Sequence, residues 1–192
     1  MKSSSNTLIS DIMNAWRPVF FIVRFLLFIS PISICAQGAL RTEQLVIDFR
    51  SEAPLELITA QSMEGVGIVD TSAMTFAFRV RIRSFEGFNS PLQKEHFNEN
   101  YLESERYPLA IFKGRFLESK LHEGVHLVRG SLEIHGKAVD RVIKVDISQD
   151  PSGFELDSRF QVLLADHDIE IPQVVFRKIA ERIDVQVQGK LR

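Results

Sequence analysis

The sequence predicts an all-β chain of antiparallel strands, joined in hairpin succession and closing into a barrel or a sandwich. Three observations carry this. Apolar and polar residues alternate with a period of two through most of the chain after residue 36, as half-buried antiparallel strands do. Turn residues separate the alternating runs at short spacing. Helix signals are confined to one or two short segments. The sum is one domain of about eight strands with one or two short helices.

The start of the chain has a different character. Residues 19–34 read VFFIVRFLLFISPISI, preceded by Lys2 and Arg17 and followed by Cys35-Ala36-Gln37. A basic start, an apolar stretch and a small-residue exit make a secretory signal with a cut after Ala36. A retained anchor helix is the alternative, but Arg24 and Pro31 interrupt a run already short for the roughly 20 residues of a span. Lipidation at Cys35 is a third reading, with Ile34 standing where a small residue is wanted. Met13 is a second candidate start. The expected organisation is a leader over 1–36 and a barrel domain over 37–192. The expected location is the periplasm or the outside, or else membrane anchorage through the N-terminal segment or Cys35.

Without the leader the chain holds 20 basic and 24 acidic residues, a charge of −4, and no Cys. That excludes disulfides, thiolate metal sites and a Cys nucleophile from the domain. Export without Cys suits a bacterial envelope protein held together by packing. The absence of a basic excess argues against nucleic acid as a partner.

The elements follow in order. Leu45, Ile47 and Phe49 alternate with Gln44 and Asp48. After the turn Asp70-Thr71-Ser72, a stripe of Met74, Phe76, Phe78, Val80 and Ile82 opposes Thr75, Arg79, Arg81 and Arg83. Ser90-Pro91-Leu92-Gln93 has a cap residue, Pro at the first helical position and Gln three after the cap. It starts a short helix with Leu92, His96 and Phe97 on one face, running toward Tyr107-Pro108. Ile111–Leu121, Val125–Ile134 and Val139–Ile147 read as strands divided by Glu123-Gly124 and His135-Gly136. Asp150-Pro151-Ser152-Gly153 turns into Phe154, Leu156, Phe160, Val162 and Leu164. A second short helix is expected over Val174–Ala180, before Ile183, Val185, Val187 and Leu191.

Chemistry-bearing motifs are sparse. There is no nucleophile elbow and no His-Glu-x-x-His, and the glycines are too dispersed to cradle a phosphate. His122 and His126 flank a hairpin turn and read as solvated. Asp166-His167-Asp168, with Glu170, is rich in oxygen donors but lacks the Gly and ligand series of a calcium loop. Glu103 and Glu105 read as surface. No catalytic residue, metal or cofactor is expected. Phenylalanine stands out: 11 of the 15 lie beyond residue 36. Eight strands enclose an interior that is either filled by side chains or holds one ligand.

Three stretches together resemble the YceI-like family. They are FEGFNSPLQKEHFNENYLESERYPLAIFKGRF (85–116), GSLEIHGKAVDRVIKV (130–145) and the closing segment 160–187, which contains LADHDIEIPQVVFRKIAERIDVQV. Ser51-Glu52-Ala53-Pro54-Leu55-Glu56 is similar to the family's strand opening. The resemblance implies a lipocalin-like barrel, export, and an interior able to hold a long isoprenoid or similar amphiphile. It brings no catalytic residues. The chain departs from the family pattern in three places. Asn89-Ser90 stands where an Arg-Asp or Arg-Asn pair is common. Lys137-Ala138-Val139 replaces a hydroxyl-bearing turn. Asp166-His167-Asp168 places His and Asp where an aromatic and a small residue are common.

On this reading the protein sequesters or carries an apolar lipid, with Phe76, Phe78, Phe112, Leu132, Phe160 and Val162 lining the interior and His96 meeting the head group. The expected partner is an isoprenoid or other long-chain lipid, with a homodimer left open. Stable membrane insertion of the domain is not expected, because Arg79, Arg81 and Arg83 oppose the Phe stripe. The alternative is a packed, ligand-free envelope protein acting through protein contacts.

Overall fold

Each strand pairs antiparallel with the next, and the last returns to the first, so the sheet closes into an eight-stranded barrel. The computed structural model describes residues 38–173 and 177–192. The strands are β1 (Ala39–Glu52), β2 (Leu57–Asp70), β3 (Thr75–Arg81), β4 (Leu109–Phe116), β5 (Gly124–Ile134), β6 (Lys137–Asp150), β7 (Gly153–Leu163) and β8 (Arg182–Leu191). Of the two architectures the alternation left open, the barrel is the one formed.

Local chemistry sets the turns. Ile134 and Lys137 pair across a two-residue loop in which His135 (φ 52°) and Gly136 (φ 71°) both have positive φ. That is the backbone of a type I′ hairpin, whose twist matches its strands. Asp70 Oδ1 accepts the N–H groups of Ser72 and Ala73 at 2.9 Å, which folds the β2–β3 turn. Asp150 Oδ1 does the same for β6–β7, accepting from the N–H and the hydroxyl of Ser152 at 2.6 Å. These bonds, with Lys190 nearby, hold the Asp150 carboxyl down at about 2.

Closure needs curvature, and β1 supplies it at Leu45. Its register against both β2 and β8 shifts there. The residues opposite are Gly65 and Gly189, where a Cβ would come within 2.7 Å of the Leu45 carbonyl and 2.9 Å of the Gln44 carbonyl respectively. Glycine on both flanks lets the bulged strand press close to its neighbours.

The long β3–β4 connection covers one end of the barrel, here called the mouth. It holds a short turn of 3₁₀ helix at Ile82–Ser84, the helix α1 (Pro91–His96) and one π-helical turn at Phe97–Tyr101. The cap works as expected: Ser90 Oγ accepts the N–H of Gln93 at 3.2 Å. The return bond differs from a capping box, because Gln93 Oε1 takes the N–H of Asn89 at 2.9 Å.

Other expectations shift in detail. Met74 lies before β3 and Ile82 beyond it, both still buried. The strand expected to reach Leu121 ends at Phe116. Of the second expected helix, 174–176 lie outside the described residues, and 177–180 are a turn and a bend and not a helix. His126 is fully buried, not solvated. The 3₁₀ turn Leu164–His167 carries His167, also fully buried.

The side chains sort by face. Leu45, Val69, Phe76, Val128, Ile143, Ile147 and Leu191 are in the buried core, while Arg79, Arg81 and Arg83 are exposed. Arg81 pairs with Glu64 and Arg83 with Glu105 on the outside. An apolar inside and a charged outside reverse the polarity of a transmembrane barrel. No helix among the described residues is long and apolar enough to cross a membrane.

The β6–β7 join is incomplete. β6 and β7 pair only from Asp146/Asp157 to Asp150/Gly153. Toward the mouth they separate, and side chains bridge the gap: Ser158 Oγ donates to the Lys144 carbonyl and Arg141 to the Gln161 carbonyl, both at 2.8 Å.

Candidate functional site

The inward faces of the strands do not fill the barrel. They leave an apolar cavity of about 410 Å³, within the range of about 300–1,000 Å³ usual for small-molecule sites. Two groups of rings shape it. Deep in the barrel, Phe76 lies 4.9 Å from Phe112, 5.6 Å from Phe78 and 5.8 Å from Phe116, ring centre to ring centre. Near the mouth, Phe49 stacks on Phe97 at 5.3 Å and meets Phe85 at 5.5 Å and Phe88 at 6.0 Å.

Glycines explain why the nine phenylalanines on the cavity lining leave any space. A Cβ on Gly67 would sit 1.9 Å from Phe78 Cδ1, and one on Gly130 would sit 2.9 Å from Phe112 Cε2. Both rings therefore lie in the room a side chain would have taken.

The structure brings the expected lining residues together. Phe76, Phe78, Phe112, Leu132, Phe160 and Val162 all line the one cavity, and His96 stands at its mouth on α1. Sequence reasoning missed Phe85 and Phe88, which also line it. They sit in the irregular β3–β4 connection, where no periodicity signals a face. The remaining mouth residues come from three places. Glu56 lies in the β1–β2 turn, Gln93 and Tyr101 follow from α1, and Lys178 lies in the segment before β8. Gln93 Nε2 donates to Glu56 Oε1 at 2.7 Å, and Asn89 Nδ2 donates to the Leu57 carbonyl at 2.8 Å. These bonds fasten α1 to the β1–β2 turn. Tyr101 has its pKa raised by burial and by the charge of Glu56, so its phenol keeps its proton.

The polar clusters considered in the sequence serve the frame. Asp166 and Asp168 are taken up by Arg141 and Lys137, each at 2.8 Å. His167 points inward, its Nδ1–H donating to the Lys137 carbonyl at 3.0 Å. Glu103 accepts from His135 at 3.1 Å, and Glu105 pairs with Arg83. His126 donates through Nε2 to the His122 carbonyl at 2.8 Å, with Glu118 3.4 Å from its Nδ1. Among the described residues no group of three or more His, Cys, Asp or Glu is placed to hold a metal.

A closed antiparallel barrel whose apolar interior stays open defines a class of protein built around an internal ligand cavity. The chain belongs to the YceI-like family: the model of the YceI-like domain matches residues 54–191. No curated protein matches it. Solved structures share the fold. A polyisoprenoid binding domain from Saccharophagus degradans, implicated in plant cell wall breakdown, has a TM-score of 0.69 at 14% identity, over 81% of this chain and 99% of that one. BcnA from Burkholderia cenocepacia has a TM-score of 0.66 at 13% identity, over 77% and 96%. The YCEI protein of Campylobacter jejuni has a TM-score of 0.53 at 12% identity, over 67% and 80%.

Proposed function

We propose that this protein is a non-enzymatic binding protein that takes a long apolar or amphiphilic lipid, of polyisoprenoid type, into its barrel. One observation carries the reading: a single continuous apolar cavity of about 410 Å³ runs between two groups of aromatic rings. A filled core would leave isolated voids. Desolvating a hydrocarbon chain along this wall supplies roughly 25 cal/mol per Å² of apolar surface buried. The printed ligand class of the Saccharophagus degradans domain supports the same choice. The leader-like composition of residues 1–36 supports export, with the protein working in the periplasm or outside the cell. Native mass spectrometry with organic extraction of the protein purified from its full-length gene tests this. The expected result is a stoichiometric adduct of lipid-like mass. An apo mass that stays apo after incubation with a C20 isoprenoid alcohol would refute the carrier reading.

A further inference from the structure

The polar groups facing the cavity are concentrated at its mouth. Deeper in, the Ser158 hydroxyl is committed to the Lys144 carbonyl; nearer the mouth Ser51 Oγ accepts the Ala180 N–H. At the mouth stand Glu56, Tyr101, Gln93, His96 and Lys178. Glu56 is half-buried. Gln93 occupies one of its oxygens, at 2.7 Å; among the described residues the other oxygen and the Tyr101 hydroxyl take no hydrogen bond. The two are close enough for the charge of Glu56 to act on the Tyr101 phenol. An acceptor and a donor on the lining of one cavity mouth are thus left open where an amphiphile would end.

We propose that Glu56 and Tyr101 form a head-group site for an alcohol, the ligand hydroxyl donating to Glu56 and accepting from Tyr101, and that Glu56 turns away a phosphate end. The proposal rests on the lipid-binding reading above. A phosphate oxygen accepts from Tyr101 as well as a hydroxyl does, but the dianion that prevails above about pH 6 has no proton for Glu56 and brings like charge. Lys178 and Arg79, the cations on the cavity lining, are exposed, so water and salt screen their attraction for an anion. A half-buried carboxylate is screened less. Like charges several Å apart at intermediate dielectric cost about tenfold in affinity.

The test compares geranylgeraniol with geranylgeranyl monophosphate on the purified protein, each displacing a fluorescent naphthylamine probe from the cavity. The alcohol is expected to bind about tenfold more tightly than the phosphate. In Glu56→Gln, whose amide oxygen still accepts from Gln93, the phosphate is expected to gain and the ratio to approach one. In Tyr101→Phe the alcohol is expected to weaken several-fold. Probe binding by each variant reports that the barrel is intact. Equal or tighter binding of the phosphate by the wild type, or an unmoved ratio in Glu56→Gln, would overturn the head-group site and leave the carrier reading standing. If neither compound displaces the probe from the wild type, the carrier reading fails and takes the proposal with it.

Discussion

Gly114 and Gly130 lie opposite each other on β4 and β5, and neither position has room for a methyl. A Cβ on Gly114 would come within 2.1 Å of the Arg129 carbonyl oxygen and 2.5 Å of Gly130 Cα, backbone atoms that no rotamer can move. Gly67 differs, since its Cβ would meet only the Phe78 ring. Gly67→Ala is expected to swing that ring into the lumen, costing about 1–3 kcal/mol and weakening lipid uptake. Gly114→Ala is expected to cost more stability. Urea unfolding of both, with probe binding, checks the order. Phe78→Asp is expected to abolish lipid uptake by placing a charge in an apolar lining; a folded variant with full lipid would remove Phe78 from the lining that matters. His167 sets a pH dependence. It is fully buried with Nε2 unpartnered among the described residues, and burial first, then Arg141, holds its pKa below the ordinary value. The unfolded chain takes up a proton below about pH 6.5 while the folded chain resists it, so stability falls as pH drops through that window. The urea midpoint of the wild type is expected to fall from neutral pH to about pH 5.5, and less steeply in His167→Phe. Parallel slopes would clear His167 of the effect.

At the scale of elements, the β5–β6 hairpin depends on Gly136. Its φ is 71° and a Cβ would lie 2.4 Å from Tyr107 Cε1, so Gly136→Ala meets both backbone strain and a ring. A loss of about 1–3 kcal/mol is expected, read as a drop in Tm. Ser90→Ala removes the α1 cap, with about 1 kcal/mol expected. Both turns were legible in the sequence, because His-Gly and Ser-Pro-x-Gln act through local backbone chemistry. The strands were legible for the same reason, since period two is a local property. His126 shows how far that logic reaches: it is in phase with Val128 and Leu132 on β5, so the alternation that placed Leu132 inward also places His126 inward once the strand begins at Gly124. The π-helical turn after His96 and the inward turn of Phe85 and Phe88 were not legible. Packing against Phe49 and Phe97 decides them, and Phe49 lies far away in the sequence, on β1. Glu56 was invisible for a similar reason: it reaches the mouth only when β2 folds back beneath α1.

At the largest scale the described residues form a closed ladder, which leaves no free sheet edge among them and makes an internal ligand a partner of the folded state alone. Isoprenoid at a hundred times its Kd is expected to stabilise the protein by about 2.7 kcal/mol, seen as a rise in Tm that grows with ligand concentration. A Tm indifferent to ligand would contradict an internal site. Acid acts on the frame too: Asp150, held at about 2, contributes stability that is complete above its unfolded value near 3.8 and is lost as pH falls toward 2. The gap between β6 and β7 governs time, not shape. The β2–β3 ladder is equally short, from Val66/Arg79 to Asp70/Thr75, but a backbone bridge between Gln61 and Glu86 closes that seam nearer the mouth; between β6 and β7 two side-chain bonds stand in for the upper rungs. Fluctuations that break few bonds are the frequent ones, so the β6–β7 line is expected to open before the fully laddered joins. Amides of β6 on its β7 side above Asp146 are expected to exchange with solvent orders of magnitude faster than those of β5. Arg141→Ala is expected to widen that difference, and the dissociation rate of a bound lipid is expected to rise with it.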